Sequence, residues 1–304
     1  MRNQPIRTKA LLARLRAGGV LLADGATGTM LQGVGLDAGQ APELWVLEQP
    51  DRIRALHQSY VEAGSDLILT CTFGGTHYRL ASHGLADRVV EVNRRAAEIA
   101  REIAGDKVFV VGDMGPTGQL LQPLGPLTVQ EVADAYAEQA TGLVEGGVDL
   151  LLIETMSDLG EAEAAIAGAR RVSTLPIACT FSFDTHGRTM MGLRPETVAQ
   201  RIGPYVEAVG ANCGRDPAEY PGIIRAMRRA LKQVSPRTIL WAKPNAGLPR
   251  IVEDTVAYDA TPEQMGQITL ELRQAGAQVF GGCCGTTPAH VAAMAEALKS
   301  GDEP

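Results

Sequence analysis

Cys283 and Cys284 stand side by side in Gly281-Gly282-Cys283-Cys284-Gly285-Thr286-Thr287-Pro288. Vicinal thiols pack poorly as core residues, and a disulfide between them would close a strained ring. The flanking glycines free the backbone to bend. In a straight strand the two side chains point to opposite faces, but a bend at a strand end turns both sulfurs toward one point, where a soft metal ion could be held. The same residues also read as a tight glycine turn around two small buried thiols. Thr287 and Pro288 have the chemistry of an N-cap and first helical turn, with the helix running to Lys299, so the pair falls at a strand-to-helix junction. A third candidate is Cys213 in Ala211-Asn212-Cys213-Gly214. Taken alone it is equally well explained as a packed small residue at a strand end.

Thiols so far apart in sequence can share an ion only if the fold gathers strand ends. The hydrophobic pattern predicts that it does. Apolar runs at 20–23, 67–70, 108–112, 150–153, 177–180, 208–212, 239–243 and 278–281 read as strands. Helical periodicity covers 9–16, 52–63, 86–103, 129–145, 159–170, 195–202, 217–231, 262–275 and the segment ending at Lys299. Strand, polar loop, helix is the repeating unit. Continuous apolar strands are those of a parallel sheet buried on both faces, and eight units close most simply as a single-domain α/β structure, a (β/α)₈ TIM barrel. The expected domain is 1–304, with short flexible ends at about 1–8 and 300–304. An open doubly wound sheet is the rival, but Asp24-Gly25-Ala26-Thr27-Gly28-Thr29 spaces its glycines wrongly for a Gly-x-Gly-x-x-Gly dinucleotide turn.

In a barrel every strand end lies on one face. Asp24, Thr70, Asp113, Glu154, Cys213, Lys243, Asn245, Cys283 and Cys284 would then surround one mouth. Three thiolates suit zinc better than the hard ions magnesium and calcium, and they leave a fourth tetrahedral position open for chemistry. With no histidine ligand evident, zinc-activated hydrolysis is disfavoured.

Composition narrows the field further. The chain has 304 residues, 45% apolar and 21% charged, and a formal net charge of −7. That charge disfavours nucleic acid and anionic membrane as partners, both of which need a basic face. The first ten residues are basic and polar with no long apolar run behind them, so neither a signal peptide nor a membrane span is expected and a cytoplasmic location is. An odd count of five cysteines argues against a disulfide framework and for metal binding or reactivity.

The motifs Asp24-Gly25-Ala26-Thr27-Gly28-Thr29, Glu154-Thr155, Ala211-Asn212-Cys213-Gly214 and Gly281-Gly282-Cys283-Cys284-Gly285-Thr286 resemble those of the homocysteine S-methyltransferase family. That family includes betaine-homocysteine methyltransferase and the homocysteine-binding module of cobalamin-dependent methionine synthase. Residues 120–128 and 183–192 further resemble bacterial betaine-homocysteine methyltransferases. The resemblance implies a barrel in which Cys213, Cys283 and Cys284 bind Zn²⁺ and the thiol of homocysteine takes the open position. It implies substrate contacts at Asp24, Gly25 and Glu154. Thr29 and Asn212, within the same motifs, and Phe73 are expected in the substrate site too. Asp24 or Glu154 could instead cap a helix or pair with an arginine. The family also implies a dimer or tetramer.

The expected reaction is methyl transfer to homocysteine, giving methionine, with betaine as first-choice donor and a sulfonium such as S-methylmethionine second. Two alternatives stay open: a methyl group delivered by a corrinoid or folate on another protein, and a zinc-binding protein without chemistry. The donor is the weak point. A quaternary ammonium usually calls for an aromatic cage, yet only 4% of residues are aromatic. Trp45, Phe73, Tyr78 and Phe183 are the candidates, Phe73 and Trp45 foremost. Cys71, where many relatives carry asparagine, reads as a wall residue or a fourth sulfur. Cys179 reads as barrel filling. His186 is the histidine that could approach the mouth; His57, His77, His83 and His290 read as solvated or satisfied.

Overall fold

The computed structural model describes residues 4–37, 39–252 and 255–300. The predicted flexible ends at 1–3 and 301–304 lie outside the described residues.

Eight parallel strands form the centre: β1 (Leu21–Leu22), β2 (Leu67–Leu69), β3 (Phe109–Met114), β4 (Leu150–Met156), β5 (Ile177–Phe181), β6 (Ala208–Cys213), β7 (Ile239–Pro244) and β10 (Val279–Phe280). Their order in the sheet is β1-β10-β7-β6-β5-β4-β3-β2. A parallel bridge from Ala23 to Leu67 joins the two ends, which closes the sheet into the expected barrel and excludes the open doubly wound alternative. The remaining strands, β8 (Arg250–Val252) and β9 (Thr255–Ala257), make an antiparallel hairpin after β7. Sequence patterning missed it.

Among the described residues twelve α-helices accompany the strands: α1 (Gln4–Arg16), α2 (Gly28–Gln32), α3 (Pro42–Glu48), α4 (Pro50–Glu62), α5 (His77–Ala81), α6 (Val89–Ala104), α7 (Val129–Glu145), α8 (Leu159–Val172), α9 (Pro195–Ile202), α10 (Tyr220–Val234), α11 (Pro262–Ala275) and α12 (Pro288–Ser300). Their starts follow local chemistry. Thr128 and Glu131 form a reciprocal capping box at α7, and Thr261 and Gln264 do the same at α11. At α12, Thr287 N–H donates to His290 Nδ1 (3.1 Å) and His290 Nε2 lies 2.9 Å from Ala260 O, so this histidine is buried and satisfied.

The strands bury both faces, as their unbroken apolar runs require. Leu21, Leu69, Val111, Leu152 and Trp241 fill the barrel interior, while Ile68, Val110, Leu151, Val209 and Phe280 pack outward against helices. Leu11 and Leu15 of α1 join the interior cluster, so this helix plugs the end of the barrel opposite the strand C-termini. Its start corrects the expected flexible end. Gln4 Nε2 donates to Val148 O (2.6 Å), Arg7 Nε to Asp149 Oδ1 (2.9 Å) and Thr8 Oγ1 to Asp149 O (3.0 Å). Residues 4–8 looked like a solvated tail because their partners sit at the entry to β4, far away in sequence.

Candidate active site and metal centre

Cys213 ends β6 in the left-handed region (φ 62°), and Gly214 follows it there (φ 73°). A side-chain-bearing residue at positive φ costs on the order of 1 kcal/mol, offset here by anchoring: Tyr220 Oη donates to Cys213 O (2.6 Å), and so does the backbone N–H of Asn245 (3.2 Å). The register of β6 on β7 sets Cys213 beside Pro244. Pro244 O in turn accepts from Cys283 N–H (2.9 Å), so one carbonyl ties the two cysteine motifs together.

The vicinal pair sits in the bend that its glycines predicted. Thr286 closes the turn, donating from both N–H (3.1 Å) and Oγ1 (2.6 Å) to Cys283 O. A Cβ on Gly282 would come within 2.2 Å of Thr286 Oγ1, and one on Gly285 (φ 79°) within 2.2 Å of the Tyr258 ring. No larger residue fits either place. As a result the sulfurs of Cys213, Cys283 and Cys284 lie within 4.8 Å of one another, each partly exposed. The glycine-turn reading and the metal reading therefore describe the same object.

Hydrogen bonds among the three thiols pull in opposite directions. With burial and mutual repulsion added, Cys213 and Cys284 are pushed up to about 12 and Cys283 well above the ordinary thiol value. Three sulfurs so close cannot all be thiolates unless a cation stands among them. The donor set fits a soft divalent ion with three protein ligands and a vacant fourth position.

Beside the sulfurs opens a cavity of about 420 Å³. Gly25, Thr29, Phe73, Glu154 and the three cysteines all line it, and Asp24 lies just behind the lining Gly25 and Lys243. Asp24, 2% exposed, accepts from Leu69 N–H at Oδ2 (2.8 Å) and faces Lys243 Nζ at Oδ1 (3.4 Å). It does pair with a cation, a lysine rather than an arginine, and that lysine lines the cavity. Burial works against the Lys243 ammonium, but Asp24, Glu154, Cys283 and Asp113 outweigh it and hold the amine protonated, above its usual value. Burial also raises Asp24, with Lys243 opposing, and raises Glu154, with Lys243 opposing and Asp24 adding to the rise. Glu154 Oε2 is buried without a partner.

Asn212 is placed differently from expectation. It is fully buried, its Oδ1 accepting from Thr155 N–H (2.8 Å) and Thr180 Oγ1 (2.7 Å), and its Nδ2 donating to Thr155 Oγ1 (2.7 Å) and lying 3.9 Å from Cys283 Sγ. It is not among the residues lining the cavity, and its bonds hold the Glu154-Thr155 corner beside Cys283. Of the aromatic candidates Phe73 alone lines the cavity; Trp45 and Phe183 are core residues. No aromatic cage forms among the described residues. Cys71 is a buried wall residue outside the sulfur cluster; Cys179, expected as barrel filling, is buried instead on the outer face of β5 against the helices, since it is Ala178 that points inward; and His186 is exposed on the loop after β5.

Two further residues adjoin the sulfurs, of which Tyr258 escaped sequence reasoning. Tyr258, just after the β8–β9 hairpin, hydrogen-bonds Cys284. Asn245 donates Nδ2 to Gly214 O (2.6 Å), lies 3.7 Å from Cys213 Sγ through the same nitrogen, and leaves its buried Oδ1 unpartnered. Asn245 was legible as a strand-end residue. Tyr258 carried no such signal, because it belongs to a loop excursion.

A closed (β/α)₈ barrel with a three-sulfur cluster and buried carboxylates at the C-terminal mouth defines a class of barrels whose chemistry is gathered around a soft-metal ligand set. The chain belongs to the homocysteine S-methyltransferase family, which it matches over residues 21–298. It is similar to methionine synthase of Mycobacterium tuberculosis, 32% identical over 300 residues, and to that of Mycobacterium leprae, 32% over 298. The alignments take in 92% of this chain but 25% and 24% of those proteins, so the chain spans about a quarter of their length. Among solved structures, the metallated form of the homocysteine methyltransferase MmuM from Escherichia coli superposes with a TM-score of 0.77 at 23% identity, covering 93% of this chain and 98% of that one. A methyltransferase from Methanosarcina mazei gives 0.63 at 15%, covering 96% and 98%. These structural likenesses establish the fold. No helix among the described residues is long and apolar enough to cross a membrane.

Proposed function

We propose that this protein transfers a methyl group from a small onium donor to the sulfur of homocysteine, giving methionine, with betaine the first-choice donor and an S-methylmethionine-type sulfonium the second. The observation that carries the reading is the meeting of three sulfurs with a cavity walled by buried carboxylates. Zinc held by Cys213, Cys283 and Cys284 would supply the positive charge that keeps a substrate thiol ionised at neutral pH, where a free thiol is mostly protonated.

The chain's own residues do the rest. Asp24 and Glu154 receive the substrate ammonium, and Lys243 keeps that corner near neutrality so that two buried carboxylates can stay ionised together. Asn212 and Thr155 hold Glu154 and Cys283 in mutual register. In the transfer itself the substrate sulfur bonds to the methyl carbon while the bond from that carbon to the donor's nitrogen or sulfur breaks. The electron pair departs with the donor, which leaves as a neutral amine or thioether. No proton moves in that step, so no acid or base side chain is required, and alignment of the two reactants is the main contribution of the protein.

The reading extends to a single homocysteine-binding domain over 1–304, a cytoplasmic location and a homo-oligomer. It is tested by incubating zinc-loaded protein with homocysteine and a panel of betaine, sulfonium and methyl-carrier donors, then measuring methionine. Formation with one small donor supports it. The greater length of the methionine synthases favours a second reading, in which a corrinoid or folate on another protein brings the methyl group; methionine formed with carrier donors alone would establish that instead. Asp24→Ala separates both from a metal store: turnover should fall at least a hundredfold with zinc content unchanged, and an unaffected activity would sink the catalytic reading.

A further inference from the structure

Asp113, near the end of β3, is held rigidly by its backbone. Its N–H donates to Thr70 Oγ1 (2.9 Å), and its carbonyl accepts from Thr72 Oγ1 (2.7 Å). The side chain is a different matter. It lines the cavity, is 6% exposed, and its Oδ1 is buried with no hydrogen-bond partner. Burial, with like charge from Glu154 added and Lys243 opposing, pushes this carboxyl well up.

Of the neighbouring carboxylates, Asp24 and Glu43 are provided for, whereas Glu154, like Asp113, leaves one buried oxygen unpartnered. Asp24 has Lys243 and the Leu69 N–H. Glu43 accepts from Gly74 N–H (2.6 Å) and faces Arg79 and His83. Glu154 lies on the sulfur side, where its charge acts on Cys283. With Asp24 it is sufficient for one substrate ammonium, which leaves Asp113 over. On the same wall lies Phe73, whose carbonyl accepts from Gly115 N–H (2.9 Å) and whose ring covers Gly115 so closely that a Cβ there would come within 2.6 Å.

We propose that Asp113, with the Phe73 ring beside it, forms the subsite for the positively charged centre of the methyl donor and determines its specificity. This rests on the reading of the protein as an onium-dependent methyltransferase. A quaternary ammonium or a sulfonium has no N–H to give, so the group that recognises it must offer charge and an aromatic face rather than a directed hydrogen bond. An unpartnered buried carboxylate is costly in the empty cavity and is relieved when a cation docks against it. One buried charge next to one ring thus replaces the several rings of a cage, which accounts for onium chemistry in a chain with so few aromatic residues.

The test is Asp113→Asn, which keeps the shape and removes the charge. With zinc-loaded protein saturated in homocysteine, binding of tetramethylammonium, an unreactive onium, is followed by calorimetry, and KM is measured for betaine and for S-methylmethionine. Onium affinity should fall at least tenfold and donor KM rise in step, while the affinity for homocysteine changes less than twofold. That last value also shows the variant to be folded, and Asp113→Glu should restore part of the onium binding. Unchanged onium affinity, an equal loss for homocysteine, or a wild type that binds no onium overturns the proposal. Onium binding that depends on Asp113 without any methionine formed would instead overturn the proposed reaction and leave the subsite standing.

Discussion

At the scale of single residues, the site combines groups that are individually unfavourable. Three thiols are held close enough to oppose one another's ionisation, and Glu154, Asp113 and Asn245 each leave a buried oxygen unpartnered. Orphaned polar atoms are rare in folded proteins, and two of these, on Glu154 and Asp113, belong to residues lining one cavity. His57 of α4 shows the contrast. It is buried away from the cavity with Nε2 unpartnered, and burial lowers it to about 4. The unfolded chain protonates this histidine below about pH 6.5, whereas the folded protein refuses the proton until about pH 4. Its contribution to stability is therefore complete above pH 6.5 and is lost as pH falls toward 4, by about 3 kcal/mol in all. Urea unfolding of the metal-free protein at pH 7.5 and 4.5 should show a difference smaller by roughly 2 to 3 kcal/mol in His57→Leu than in the wild type. Equal differences would refute the assignment.

At the scale of elements, the sulfurs meet because β6, β7 and β10 are in fixed register. Gly210 on β6 pairs with Trp241 on β7, and a Cβ at Gly210 would lie 1.9 Å from the Trp241 carbonyl oxygen. Backbone cannot retreat as a side-chain tip can. Gly210→Ala should cost about 3 kcal/mol or more. It should also lower zinc affinity by displacing Cys213 from Pro244, while Thr128→Ala at the distant α7 cap costs about 1 kcal/mol and leaves zinc affinity unchanged. Chemical denaturation and zinc titration on both variants check this; identical zinc affinities would mean that the register does not govern the cluster.

At the scale of the molecule, the barrel separates stability from chemistry. One end is plugged by α1, with Leu11 and Leu15 sealed against the interior and Asp149, fully buried, bound by Arg7, Arg101 and the Val110 N–H. The other end is left open and polar. Leu11→Ala should therefore destabilise by about 2–5 kcal/mol with zinc content and homocysteine affinity unchanged, measured on the same preparation below its melting temperature. A matching loss of zinc would show the two ends to be coupled.

The order of the eight barrel strands and of the long helices between them was legible because a buried parallel strand must be apolar along its whole length and an outer helix along one stripe only; the short helices α2, α3 and α5 were not. The bend at Cys283-Cys284 was legible because glycine at Gly282 and Gly285 permits what no other residue would. The family was legible in short motifs for the same reason: each is a strand end whose residues have little freedom to vary. The hairpin with Tyr258, the docking of residues 4–8, the inward use of Asn212 and the unmatched charge of Asp113 were not. Each depends on which distant group lies opposite, and local pattern carries no record of that; only closing the barrel decides which buried oxygens find partners and which are left facing the cavity.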